Sequence, residues 1–92
     1  MKEKLMNNIN NWTEISKGYY RYAIGPNLAY EIIIECWYHD TPIETAKGSL
    51  CIVGVWRNPG APSSTEREWI LKEQPVQHLL EAAVKDNDIN NK

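Results

Sequence analysis

The feature that most constrains the fold of this chain is a pair of neighbouring segments in which apolar residues recur at every second position. The segments are AYEIIIECWYHD, residues 29–40, and ETAKGSLCIVGVW, residues 44–56. Successive side chains of a β-strand point to opposite faces, so this alternation predicts two strands that each turn one face toward a core. The residues DTP, which begin at Asp40, predict the connection of an antiparallel hairpin.

The register of this hairpin follows from asking which pairing leaves one face free of charge. A hairpin that closes around residues 41–43 sets Ile34 against Leu50 and Ile32 against Ile52. A slip by one residue would turn two glutamates into that face, and a core does not tolerate unpaired carboxylates. The other pairs of this register are His39 with Thr45, Tyr38 with Ala46, Cys36 with Gly48, Tyr30 with Gly54 and Leu28 with Trp56.

A second hairpin, formed with the preceding segment YYRYAI, predicts the same inner, apolar face. Closing this hairpin at Pro26 sets Tyr22 against Tyr30. On the opposite, outer face Arg21 then meets Glu31, a cross-strand pair that contributes about 0.2–1 kcal/mol. Two hairpins thus agree on one core face from independent residues.

The rest of the chain completes an α+β fold. EREWILKE, residues 66–73, predicts a fourth strand, with a short helix as the alternative. An apolar stripe at helical spacing predicts a helix over residues 75–86, because proline is favoured at a first helical position. The stripe comprises Val76, Leu79, Leu80, Ala83 and Val84. We therefore expect one domain: a partly helical segment at 1–17, a four-stranded antiparallel meander sheet at 18–74, the helix across one face, and a frayed tail at 87–92.

Charge and cysteine usage exclude several classes of protein. The net charge of −2 argues against non-specific nucleic-acid binding, which depends on neutralising phosphates with Lys and Arg. No apolar run approaches the ~18 residues of a membrane span, and the first residues lack the apolar core of a signal peptide. We expect no membrane association and a cytoplasmic protein with reduced thiols. Cys36 is expected on the inner face and Cys51 on the outer face, so the two should not form a disulfide.

No set of residues converges for catalysis. CWYH, residues 36–39, offers two zinc ligands, but an offset of three on a strand places them on opposite faces. No histidine is expected within reach of a thiol, and nothing buried surrounds Glu31 and Glu35 to raise a pKa. We expect no metal, no cofactor and no catalysis; a small enzyme is the least favoured class.

The outer sheet face is the main candidate for function. Its expected members are Tyr19, Ile33, Trp37, Cys51, Val53, Val55 and Ile70, with Glu31, Glu35, Glu66 and Glu68 at the rim. An apolar patch with a polar rim marks an interface or a surface that the same chain covers. The sequence therefore predicts a non-catalytic protein-interaction module that binds a partner with a basic patch, or itself. The alternative is that the N-terminal segment covers this face through Leu5, Ile9 and Trp12.

A second functional class remains open. Sheet aromatics can stack single-stranded bases, and Arg21, Lys47, Arg57 and Lys72 would then contact phosphates. The glutamates on the same face oppose this hypothesis. The Pro- and Gly-rich loop at 57–65 is a second place where a partner can touch. By analogy alone, the small size and the lack of catalytic motifs suit a bacterial or phage accessory protein.

Overall fold

The computed structural model describes residues 5–38, 40–56 and 64–90. Within these residues, five antiparallel strands form one sheet in chain order, and one helix packs against it. The bounds are β1 Thr13–Ser16, β2 Tyr19–Gly25, β3 Leu28–Cys36, β4 Lys47–Trp56, β5 Ser64–Pro75 and α1 Val76–Asn90. The predicted α+β meander with a C-terminal helix is confirmed in outline, with five strands where four were expected.

The additional strand is β1, which lies within the segment at 1–17 that was expected to be partly helical. Thr13 pairs with Arg21 and Glu14 pairs with Tyr20, so this short segment extends the sheet beyond β2. The chain reverses between the two strands at Lys17 and Gly18. Gly18 has a φ of +80°, a left-handed conformation that glycine adopts without the steric penalty of a Cβ.

The hairpin between β2 and β3 has the predicted register along most of its length. Tyr20 pairs with Ile32, Tyr22 with Tyr30, and Arg21 with Glu31. The ladder shifts only at its end, where Gly25 pairs with Leu28.

The hairpin between β3 and β4 is shifted by two residues from the predicted register. Ile32 pairs with Leu50 and Ile34 with Gly48, whereas Leu50 was expected opposite Ile34. The prediction assumed a tight closure at residues 41–43, but the strands end at Cys36 and resume at Lys47. A 3-10 turn, Ile43–Thr45, lies in the connection. A shift of two leaves every side chain on its predicted face, because the side-chain period of a strand is two.

All four ladders contain register shifts, and two of these shifts concern the residues expected on the outer face. One lies between Ile34 and Cys36, and the other lies in the β4–β5 ladder, where Leu50 pairs with Leu71 but Cys51 pairs with Trp69. A residue beyond such a bulge changes face relative to strict alternation. Further along β5, Glu73 has a φ of 56°, which is unusual for a residue other than glycine.

The inner face of the sheet packs against α1 as predicted. Tyr30, Ile32 and Leu50 are buried against the helix stripe, of which Val76, Leu79, Leu80 and Ala83 are at most 2% exposed. Asp86, in the second half of the helix, accepts a hydrogen bond of 2.5 Å from the hydroxyl of Tyr30, which connects the helix to β3.

The N-terminal segment also packs on the inner face. A short helical stretch at residues 5–6 leads into a 3-10 turn, Ile9–Asn11. Met6, Ile9 and Trp12 are buried in the same core as the helix stripe. The ring of Trp12 lies 5.5 Å from the ring of Tyr22, and its indole N–H donates to the carbonyl of Met6 at 2.7 Å. The alternative that this segment covers the outer face is therefore not what the structure shows for residues 5–12.

The boundary between the last strand and the helix differs from the prediction by one residue at its start. Pro75 ends β5 and pairs with Lys47, so α1 begins at Val76, whose N–H donates to the carbonyl of Ala46 at 2.8 Å. The choice between strand and helix for residues 66–73 is settled in favour of strand. The helix continues to Asn90, through most of the tail that was expected to be frayed.

Candidate functional site

The outer face, defined as the sheet face away from α1, is built from residues that pair across β2, β3, β4 and β5. Two rows of paired residues run across it side by side. One row is Ala23, Ala29, Val53 and Arg67, and the next is Arg21, Glu31, Cys51 and Trp69. The sheet geometry thus places one carboxylate between cations that come from β2 and β5.

Glu31 is the centre of this face and is fully buried. Its Oε2 accepts hydrogen bonds from the hydroxyl of Tyr19 at 2.6 Å and from Nε of Arg21 at 2.8 Å. Its Oε1 accepts from Nη2 of Arg67 at 2.9 Å. The glutamate side chain is 0% exposed, whereas the two arginine side chains are 41% and 37% exposed. We call Glu31, Arg21, Arg67 and Tyr19 the Glu31 cluster.

The cluster holds Glu31 in its ionised form. Burial by itself raises the pKa of the carboxyl, but hydrogen bonds from Tyr19, Arg21 and Arg67 outweigh it and leave the pKa below its usual range. Burial and the bond to Glu31 raise the pKa of the Tyr19 hydroxyl. Two cations against one anion leave the cluster with one excess positive charge, carried on arginines that reach solvent.

The exposed part of this face is aromatic as well as cationic. Trp69 is 43% exposed. The guanidinium carbon of Arg67 lies 5.7 Å from the centre of the Trp69 ring, and Nζ of Lys72 lies 5.3 Å from it. Both distances fall within the ~6 Å range of a cation–π contact.

The predicted outer residues are only partly brought together. Tyr19, Ile33, Cys51 and Val53 lie on the outer face, with Cys51 0% and Val53 2% exposed. Trp37 and Ile70 instead pack against the inner core, because Trp37 follows the bulge at the end of β3 and Ile70 is the extra residue of the bulge between Trp69 and Leu71. Val55 pairs with Thr65, and its side chain lies outside the described part of the chain.

The predicted acidic rim is not what the structure shows. Glu31 is not at the rim but buried beneath the arginines. Glu35 lies at the end of β3 and accepts a hydrogen bond from the hydroxyl of Ser49 at 3.0 Å. Glu68 pairs with Ile52, an inner-face position. The side chain of Glu66, like the loop at 57–63, lies outside the described residues.

The two cysteines have the reverse of their expected exposure. Both are free, in agreement with the prediction that they form no disulfide. Cys36, expected in the core, is exposed beyond the bulge of β3, and Cys51 is buried. Burial raises the pKa of the Cys51 thiol. Within residues 5–38, 40–56 and 64–90, no three His, Cys, Asp or Glu side chains are grouped to hold a metal ion. His39 lies outside this part of the chain.

Arg67 and Trp69 are the residues that the sequence analysis missed. One signal was available: Glu31 lies within a run of aliphatic residues on a central strand, and a buried glutamate requires cationic partners. Arg21 was identified as one such partner. Arg67 was not, because the bulge near Leu50 decides which residues of β5 face outward.

Comparison with known proteins adds no relative. No protein-family model, curated protein or solved structure matches the chain. None of the helices among the described residues has the length and apolar character required to span a membrane.

Proposed function

We propose that this chain is a small, non-catalytic protein-interaction module that binds a partner through its outer sheet face. The partner presents acidic groups to Arg21, Arg67 and Lys72 and an apolar group to Trp69. This revises the basic partner expected from the sequence, which depended on exposed glutamates around the face.

The observation that carries the proposal is the Glu31 cluster beside an exposed tryptophan. A guanidinium has five N–H donors, and a buried carboxylate orients two such groups at one place on the surface. Arginine and tryptophan are the residues most enriched among those that dominate binding energy at interfaces. Because the arginines are already held by Glu31, little side-chain entropy is lost when a partner binds.

A second function, the binding of single-stranded nucleic acid, is favoured by one observation. The cationic groups of Arg67 and Lys72 lie 5.7 Å and 5.3 Å from the centre of the Trp69 ring. A base can stack on such a ring while the phosphates of the strand contact the cations. A fluorescently labelled single strand of about 15 nucleotides, a length typical of such sites, tests this function by anisotropy. Salt-sensitive binding that Trp69→Ala abolishes would support the nucleic-acid function over the protein function.

Selection from a random peptide library displayed on phage tests the main proposal. The library is selected on the parent chain, and the enriched peptides are then measured by calorimetry against Lys72→Glu. Lys85→Glu, a matched charge change at an exposed position of α1, is the control. We expect enriched peptides to be acidic and to lose at least about tenfold in affinity with Lys72→Glu, because like charges then meet.

Two results would contradict this proposal. One is that the library gives no enrichment on the parent chain over the Lys72→Glu variant. The other is that both variants weaken the enriched peptides equally, because the effect would then follow net charge and not the outer face. Sedimentation of the parent chain alone, in a separate measurement, shows whether the chain binds a second copy.

A further inference from the structure

A small hollow opens on the outer face next to the Glu31 cluster. It lies where β2 and β3 join, has a volume of about 140 Å³, and is floored by Ala23, Ala29 and Val53. The turn residues Gly25, Pro26, Asn27 and Leu28 line it at the hairpin, and Arg21 lines it on the side of the Glu31 cluster. The hollow therefore has an apolar floor, with polar groups from Asn27 and Arg21 around it.

Arg21 has donors left for a ligand at this edge. Its hydrogen bonds to described residues use Nε and Nη2, which serve Glu31 and the hydroxyl of Tyr19. A guanidinium has five N–H groups, so those on Nη1 are available to an incoming acceptor. A carboxylate is the acceptor that suits this planar group best, since it takes two parallel hydrogen bonds.

The volume of the hollow limits what can fill its apolar part. A cavity of about 150 Å³ lined by aliphatic side chains takes a molecule the size of benzene. A branched aliphatic side chain, with four carbons, is of that scale, whereas an indole is larger. Filling the hollow would also remove its apolar floor from water, which favours binding.

We propose that the hollow and Arg21 together form the subsite that recognises a partner peptide by an acidic residue next to a branched aliphatic residue. The carboxylate pairs with Arg21, and the aliphatic side chain enters the hollow over Ala23 and Ala29. This inference rests on the proposed function, since it names the motif that the outer face would read. The Glu31 cluster carries an excess positive charge, and this charge favours a peptide with a carboxylate as the ligand.

Short blocked peptides provide the first test. In each, Asp and Leu are separated by zero, one or two glycines within a glycine-serine chain, and binding to the parent chain is followed by backbone amide shifts. We expect one spacing to bind and to shift the amides of Ala23 and Ala29. Changing its Asp to Asn or its Leu to Ala should weaken binding about tenfold or more in each case. If no spacing binds more tightly than its Asn and Ala counterparts, the proposal is overturned.

Two variants separate this inference from the proposed function. Ala23→Leu fills the hollow from an exposed position of β2, and Gln77→Leu adds the same apolar bulk at an exposed position of α1. Thermal melts establish that both fold. Peptides from the library should lose about tenfold in affinity with Ala23→Leu and none with Gln77→Leu. Unchanged binding to Ala23→Leu, together with loss in Lys72→Glu, would overturn the hollow as the subsite while the proposed function stands. Unchanged binding in both would overturn both proposals.

Discussion

Both faces of the sheet contain fully buried residues, but these residues are buried in different ways. On the inner face Ile32 and Leu50 are 0% exposed because α1 and the N-terminal segment lie over them. On the outer face Glu31 and Cys51 are also 0% exposed, although no helix lies there in the part of the chain that is described. Long side chains of the sheet itself reach across it. A buried sheet face therefore does not by itself imply a covering element or a partner.

The difference is also one of chemistry. The inner face gains its stability from apolar burial, which depends weakly on salt and pH. The outer face is held by a buried carboxylate and its cations, and every buried polar side-chain atom among the described residues has a hydrogen-bond partner. Removing one kind of partner from such a cluster leaves a charge that nothing compensates. The predictions below use this contrast.

The largest effect is expected when both cations of the Glu31 cluster are removed. Arg21→Met with Arg67→Met leaves the carboxylate buried and unpaired, which should destabilise the fold by about 3–5 kcal/mol. Adding Glu31→Leu to this pair should restore most of the loss, because the buried charge is then gone and the Tyr19 hydroxyl is the one polar group of the cluster that remains. Urea unfolding of the double and triple variants measures both. If the triple variant were no more stable than the double variant, the loss would not come from the unpaired carboxylate of Glu31.

Leu50→Ala breaks the inner face and should lower the stability by about 2–5 kcal/mol through lost burial and a residual cavity. The inner face differs from the outer one in that this loss should be the same at low and high salt. Chemical denaturation with urea in dilute buffer and in molar sodium chloride provides the comparison. A loss that shrinks strongly with salt would show that Leu50 is coupled to the charged cluster on the other side of the sheet.

A substitution at Gly48 tests how closely the backbones of β3 and β4 approach each other. A Cβ added there would lie 2.5 Å from the carbonyl oxygen of Ile33, so Gly48→Ala forces the strands apart and should cost about 1–3 kcal/mol. Gly25→Ala is the control, since its Cβ would meet the Cβ of Leu28 at an ordinary 3.8 Å. Equal melting temperatures for the two variants would contradict the observed β3–β4 register.

The cysteines test the bulge at the end of β3 without altering stability. Cys36 should react with a thiol reagent at the rate of an exposed cysteine, and Cys51 only when the sheet opens. Mass spectrometry of peptides after timed labelling gives both rates, and labelling in urea provides the unfolded reference. Faster labelling of Cys51 than of Cys36 would restore the face assignment that strict alternation predicts.

The inner face could be predicted from the sequence because it depends only on parity, that is, on whether a residue occupies an odd or an even position along its strand. The β2–β3 register, the cross-strand pair of Arg21 with Glu31 and the helix stripe beginning with Val76 all follow from periods of two and of 3.6 residues. The β3–β4 register was wrong by two residues, yet the faces survived because parity did.

The candidate site could not be predicted in the same way, because it depends on where the strands lose their regularity. The bulge in β3 moves Cys36 and Trp37, and the one beside Leu50 decides that Trp69 faces outward. A bulge is set by tertiary pairing and leaves no fixed mark in the sequence. The burial of Glu31 was missed for the same reason, since it requires Arg67 from two strands away.

The central claim is that the outer face is closed by an ionised glutamate held between two arginines. An NMR titration of the Glu31 side-chain carboxyl carbon tests it directly. We predict a pKa below the value of about 4.3 for a free glutamate. By linkage, Glu31 then stabilises the fold above that unfolded-state pKa, and this stabilisation is lost as the pH falls through the folded-state pKa. A pKa above that of a free glutamate would mean that burial outweighs the arginines, and would contradict the account.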